Sequence, residues 1–156
     1  MKPMRLLFLY LIVTFMVVTA CSTTSNIKDN QCKDYIKLEK SGCLLDCKAY
    51  QLTLCEDLTA FYKGLHRVEK RGHYIRKITP QEHASLWELA DSLKIYSLAS
   101  SYGPFGEDSQ SCMLTLSKNG KKKTIRYGAR VPHQINPFLD LLESIGENGK
   151  WKPIKQ

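Results

Sequence analysis

The chain has 156 residues, with 23 Lys and Arg against 15 Asp and Glu for a formal charge of +8, and six cysteines. With residues 1–20 set aside as a leader, the 136 that remain suffice for one domain burying roughly 70% of its unfolded surface, and are too few for two comfortable domains. The leader holds two basic residues and no acidic one, so the remainder keeps a moderate +6, and it contains no motif for nucleic-acid recognition.

Lys2 and Arg5 give the leader a basic start, Leu6 to Val18 form an apolar run, and Thr19-Ala20 are small residues before a cut. That run is too short, and wrongly flanked, for a spanning helix. Cys21 follows directly, the position at which a lipoprotein signal peptidase leaves a diacylglyceryl cysteine as the new N-terminus. Residues 1–20 therefore read as a lipoprotein signal peptide and Cys21 as the palmitate-bearing anchor. Ser22 is not the aspartate that argues for inner-membrane retention, so the expected address is the outer membrane, facing the periplasm. Residues 21–33 are polar without apolar periodicity and read as a stalk whose twelve residues after Cys21 hold the domain on the order of 20 Å from the bilayer.

The domain proper is expected over 34–156. Tyr35 to Lys40 is a short strand, broken by Ser41-Gly42, and Ala49 to Cys55 alternates with the period of two of a half-buried strand. Asp57-Leu58 turns the chain into Thr59 to Gly64, and His73 to Ile78 supplies another short strand or edge. Thr79-Pro80-Gln81-Glu82 is a capping box with proline at the first helical position, and the stripe Leu86, Leu89, Ala90, Leu93 carries a helix to about Lys94. Residues 97–111 form a long loop. Asn119-Gly120 closes a hairpin between Met113–Ser117 and Lys123–Tyr127. Asn136-Pro137 starts a last helix on Phe138, Leu141, Leu142 and Ile145, with Gly146 as its stop and Trp151 closing the core edge. The order implies an α+β fold, a mainly antiparallel sheet of about five strands with two helices packed on one face.

After Cys21, an odd set of cysteines remains: Cys32, Cys43, Cys47, Cys55 and Cys112. In an oxidising compartment the close pair Cys43 and Cys47 is expected to be a disulfide. A second bond is open to any two of Cys32, Cys55 and Cys112, and spacing does not choose between them. A thiol-redox site is disfavoured, because such pairs need C-x-x-C at a helix start and this C-x-x-x-C precedes a strand. Zinc on Cys43 and Cys47 with some of His66, His73, His83 and His133 lacks a second close ligand pair. Cys55 or Cys112 as a nucleophile, with His66 or His133 as base, is set against a commoner structural role in strands.

From Ser41 to about Trp151 the chain resembles the domain of unknown function 6438, a family of small domains in Gram-negative, Bacteroidota-type envelope lipoproteins, whose hallmark is a G-C-F-G-T-C-P-x-Y-like segment running into an alternating strand and a D-G-T turn. Gly42, Cys43, Cys47, Tyr50, Leu52, Leu54, Asp57 and Thr59 match it, while Leu45, Lys48 and Leu58 replace the inner glycine, the proline and the turn glycine. The resemblance implies an envelope location and brings no activity with it.

The resulting expectation is a lipid-anchored envelope domain with a binding or structural role and no catalysis, cofactor or metal. Its partners are the membrane, through the lipid, and an envelope protein or anionic envelope component. Lys121, Lys122 and Lys123 at the hairpin and Tyr102 and Phe105 in the loop are the candidate contact residues, with core packing the alternative for the two aromatics. A small periplasmic enzyme or inhibitor-type module working through the cysteine turn or the 97–111 loop is the second expectation.

Overall fold

The computed structural model describes residues 32–155 apart from 45, 107 and 129, so Cys21, the leader and residues 22–31 of the stalk lie outside the described residues. Eight strands, β1 (Tyr35–Lys40), β2 (Ala49–Cys55), β3 (Thr59–His66), β4 (Gly72–Lys77), β5 (Ser101–Tyr102), β6 (Cys112–Lys118), β7 (Lys121–Tyr127) and β8 (Lys152–Pro153), accompany two helices, α1 (Pro80–Ser92) and α2 (Asn136–Glu147). The strands form one sheet in the order β5-β7-β6-β1-β2-β3-β4-β8, antiparallel except where β5 runs parallel to β7. The class is α+β, but the expectation of about five strands is corrected to eight. The strands without a sequence signal, β5 and β8, are two residues long, too short to display a period of two, and they lie at the two sheet edges.

β1 lies between β2 and β6, in register with Leu52 opposite Leu38 on one side and Leu114 opposite Leu38 on the other. Because side chains alternate across a strand, this register puts Ile36 and Leu38 on the same face as Leu52, Leu54, Ala60, Tyr62, Leu114, Leu116 and Ile125. All are buried, and they form one core with Leu86, Trp87 and Ala90 of α1 and Phe138, Leu139, Leu142 and Ile145 of α2. Both helices therefore cover one face. The other face carries Lys37, Glu39, Gln51, Phe61, Lys63 and Met113, with Thr53, Thr59 and Thr115 buried between longer neighbours. Among the described residues no helix is long and apolar enough to cross a membrane.

α1 begins as its capping box requires. The Thr79 hydroxyl accepts from the Glu82 N–H at 3.1 Å, and a Glu82 carboxylate oxygen accepts from the Thr79 N–H at 2.7 Å. Glu82 also accepts from Arg76 at 3.1 Å, and the same guanidinium nitrogen donates to the Ile145 carbonyl of α2 at 2.9 Å. Arg76 thus joins β4 to both helices, and its guanidinium lies 5.3 Å from the Trp151 ring centroid.

The expected stop of the last helix at Gly146 is corrected, because α2 runs on to Glu147. Gly146 packs closely on the sheet: a Cβ there would stand 3.2 Å from the Leu52 side chain. The left-handed backbone that ends the segment belongs to Gly149, at φ 95°. At Gly64 a Cβ would fall 1.7 Å from the Lys70 carbonyl oxygen, so the β3–β4 connection folds back onto bare backbone.

Burial acts to raise the Glu82 pKa, but the Thr79 N–H and the Arg76 guanidinium outweigh it and hold the carboxyl below its ordinary value. Such a group stabilises the fold fully above the unfolded-state pKa, and the contribution is lost as pH falls through the folded-state pKa. Glu82→Gln keeps an acceptor and removes the charge. It is expected to cost about 0.5–1 kcal/mol at pH 7 in urea unfolding, typical of a charge at a helix N-terminus, with the difference closing once pH falls below about 4. An equal difference at pH 7 and at low pH would contradict the charge-based role.

Candidate functional site

The direction of β1 gives the domain two unlike ends. At the end where the chain enters, Cys32 is bonded to Cys55, the last residue of β2. The β6–β7 turn at Asn119-Gly120 lies at this same end. The Asn119 N–H donates to Asp34 Oδ1 at 3.0 Å, and the Ser117 hydroxyl donates to the Lys33 carbonyl at 3.3 Å. The second bond left open by spacing is thus Cys32–Cys55, and Cys112 is a free, buried thiol.

At the far end, β1 leads into the turn closed by Cys43–Cys47, whose Cα atoms are 5.5 Å apart. Gln110, at the end of the long loop, ties that turn down by donating its amide at 2.8 Å to the carbonyls of both Ser41 and Lys48. Ser41 and Ser111 clasp each other, Ser41 N–H to Ser111 carbonyl and Ser111 N–H to Ser41 hydroxyl, both at 2.9 Å. The disulfide turn and the long loop therefore form one rim.

On the open face of this rim, a depression of about 320 Å³ is lined by Glu39, Gln51, Leu65, Ser111, Met113 and Arg126. Arg126 stacks on Phe105 with its guanidinium 4.3 Å from the ring centroid, and Phe105 in turn lies against Gly103. Leu44, Leu65, Phe105 and Met113 are 74%, 47%, 39% and 39% exposed, and they are the large exposed hydrophobic residues among those described. All four lie at this far end.

On the helix side of the same rim, a cleft of about 410 Å³ is lined by Lys40, Cys112, Tyr127, Asn136, Asp140 and Glu143. Lys40 pairs with Glu143 at 2.9 Å and lies 5.7 Å from the Tyr50 ring centroid. Cys112 is opposite Tyr127 in the strand register. Burial pushes the Cys112 thiol up from its ordinary value, against the opposing effect of Lys40, so the sulfur is held as a thiol at neutral pH. Burial likewise pushes up the phenols of Tyr50 and Tyr127, and that of Tyr62 to about 12.

The candidate residues separate. Cys43 and Cys47 are bonded to each other, which removes them as zinc thiolates. Phe105 is exposed at the rim, whereas the Tyr102 hydroxyl accepts from the Ala99 N–H at 3.0 Å and its ring is packed against the core. Lys121 and Lys122 are exposed, but Lys123 turns inward to donate to the Leu98 carbonyl and to the Ser100 hydroxyl. Cys21 lies outside the described residues. His83 accepts from the Trp87 indole at 3.1 Å, and burial lowers its pKa below the ordinary value.

Leu44, Leu65 and Met113, exposed at this end, were not among the candidates read from the sequence. Met113 falls in an expected strand and Leu65 just past the end of another, and among the described residues no helix covers the face that exposes them. The signal that was available is Leu44 between two bonded cysteines, an apolar residue in a turn too small to bury it.

No curated protein matches the chain. The family model described as Domain of unknown function (DUF6438) matches residues 34–146, from the start of β1 to the last turn of α2, so that the central strand, the disulfide turn and both depressions fall within the match. The chain therefore belongs to the domain of unknown function 6438 family.

Proposed function

We propose that this chain is a lipid-tethered, extracytoplasmic binding domain. Cys21 carries the lipid, and the far rim of the sheet contacts a protein partner of the cell envelope. The observation that carries the reading is the gathering of Leu44, Leu65, Phe105 and Met113 at the end of the sheet opposite the chain entry. A tethered domain presents that end away from its anchor. Apolar side chains clustered at the surface, with the cation of Arg126 among them, suit a protein surface that is apolar with a carboxylate or carbonyl to meet the guanidinium.

An oxidising compartment is supported by the two disulfides, since such bonds persist outside the cytoplasm and rarely within it. Binding is favoured over catalysis because four cysteines are consumed in bonds and the fifth described one is a buried, protonated thiol. Leu44, projecting from a disulfide-closed turn, favours an inhibitor-type use of the same rim as the second reading.

Two outcomes test the proposal. Cys21→Ala in the full chain is expected to abolish labelling by radioactive palmitate and to move the protein from the membrane to the soluble fraction. Unchanged labelling would remove Cys21 as the anchor. A photoreactive amino acid at position 65 or 113, irradiated in intact cells, is expected to give one discrete protein adduct, lost when Leu44→Asp is added. Equal adducts from a probe at Lys77, on the same face towards the entry end, would contradict the far rim as the contact surface. An adduct whose partner is a protease identifies the inhibitor-type reading.

A further inference from the structure

The entry end carries a second surface, of different chemistry. Lys33 and Asp34 bring the chain into β1 at a point where the Asn119-Gly120 turn is hydrogen-bonded to them, and the Cys32–Cys55 bond fixes that point to the sheet. The acidic groups nearby are already engaged. Glu56 accepts from the N–H groups of Lys33 and Asp34, both at 3.2 Å, Asp57 accepts from Thr59 and Lys77, and Asp91 faces Lys118 at 3.7 Å. Lys121 and Lys122 are exposed, and among the described residues no acidic group pairs with either.

We propose that this hairpin tip is a membrane-contact surface, in which Lys121 and Lys122 rest on the anionic headgroups of the bilayer that holds the lipid on Cys21. The inference rests on the tethered reading above and adds an orientation to it. Ten residues, 22–31, separate Cys21 from Cys32, and the r.m.s. span expected for ten residues of Gly/Ser-like chain is on the order of 20 Å. The bonded entry point is therefore the part of the domain closest to the bilayer, and the tip attached to it comes within the screening distance of about 8 Å after a modest tilt. Attraction of a lysine to an anionic leaflet acts over that range. With the tip on the headgroups, β1 runs away from the membrane and the apolar rim faces outward. Lys123 takes no part, because it is turned in towards Leu98.

The test uses the full lipidated chain in vesicles of phosphatidylcholine alone or of an equimolar mixture of phosphatidylcholine and phosphatidylglycerol. Lysine acetylation is followed residue by residue by mass spectrometry. In the anionic vesicles Lys121 and Lys122 are expected to react ~5-fold more slowly than in neutral ones, the factor equivalent to about 1 kcal/mol per lysine at an anionic surface. Lys48, at the far rim, is expected to react equally in both. Salt of about 1 M, where the screening length is about 3 Å, is expected to abolish the difference. Protein that floats with both kinds of vesicle yet shows no lipid-dependent protection at the tip overturns the orientation and leaves the tether standing. Protein that fails to float removes the tether, and the orientation with it. Protection at Lys48 instead would place the opposite end on the membrane.

Discussion

The pairing of β1 on both sides is the constraint from which the rest of the domain follows. Its register with β2 and β6 places Ile36 and Leu38 at the centre of the core and sends the alternate residues, Lys37 and Glu39, to the open face, where they pair at 3.1 Å. A slip of one residue would exchange those faces and put a charged pair beneath the helices. The same strand sets the polarity of the molecule. Cys32 and the hairpin tip lie at its start, and the disulfide turn, the long loop and the exposed apolar residues lie at its end. Each disulfide clamps one of these ends, so the bonds fix what enters and leaves the central strand and leave the core to hydrophobic packing.

The distribution of charge is the less expected part of the design. Several of the cations are structural. Arg76 bridges β4, α1 and α2, Lys40 reaches Glu143, Lys77 donates to the Thr59 hydroxyl at 2.6 Å, and Lys118 lies 4.7 Å from the Trp87 ring centroid. Lys123 secures the loop ahead of β5. The lysines of β7 also occupy a strand whose outer edge pairs with β5 only at Arg126 and Tyr127, and lysine on an exposed edge discourages pairing with another chain. Lys121 and Lys122 at the tip are exposed, and among the described residues no acidic group pairs with either.

What the sequence made legible was whatever has a period or a local chemical rule. The alternation over Ala49–Cys55, the capping box at Thr79 and Glu82, the Asn119-Gly120 turn and the Pro137-led helix all have local causes, and each lies where those causes put it. Features fixed by distant parts of the chain were not legible. β5 and β8 exist because β7 and β4 offer edges, Gly146 lies against Leu52, and Cys55 chooses Cys32 because the start of β1 lies opposite the end of β2. The candidate site follows the same rule. The Cys43–Cys47 turn and Phe105 were visible as local features, whereas the rim that joins them to Leu65 and Met113 is made by tertiary contacts of Gln110 and Ser111.

The bond between Cys32 and Cys55 fixes the entry point to the sheet, and with it the end that lies opposite the exposed apolar rim. Peptide mapping of the full-length protein under non-reducing conditions, with free thiols alkylated after unfolding, tests it most directly. Two linked peptide pairs are expected, Cys32 with Cys55 and Cys43 with Cys47, together with an alkylated Cys112. Cys112 recovered in a disulfide with Cys32 or Cys55 would contradict that pairing.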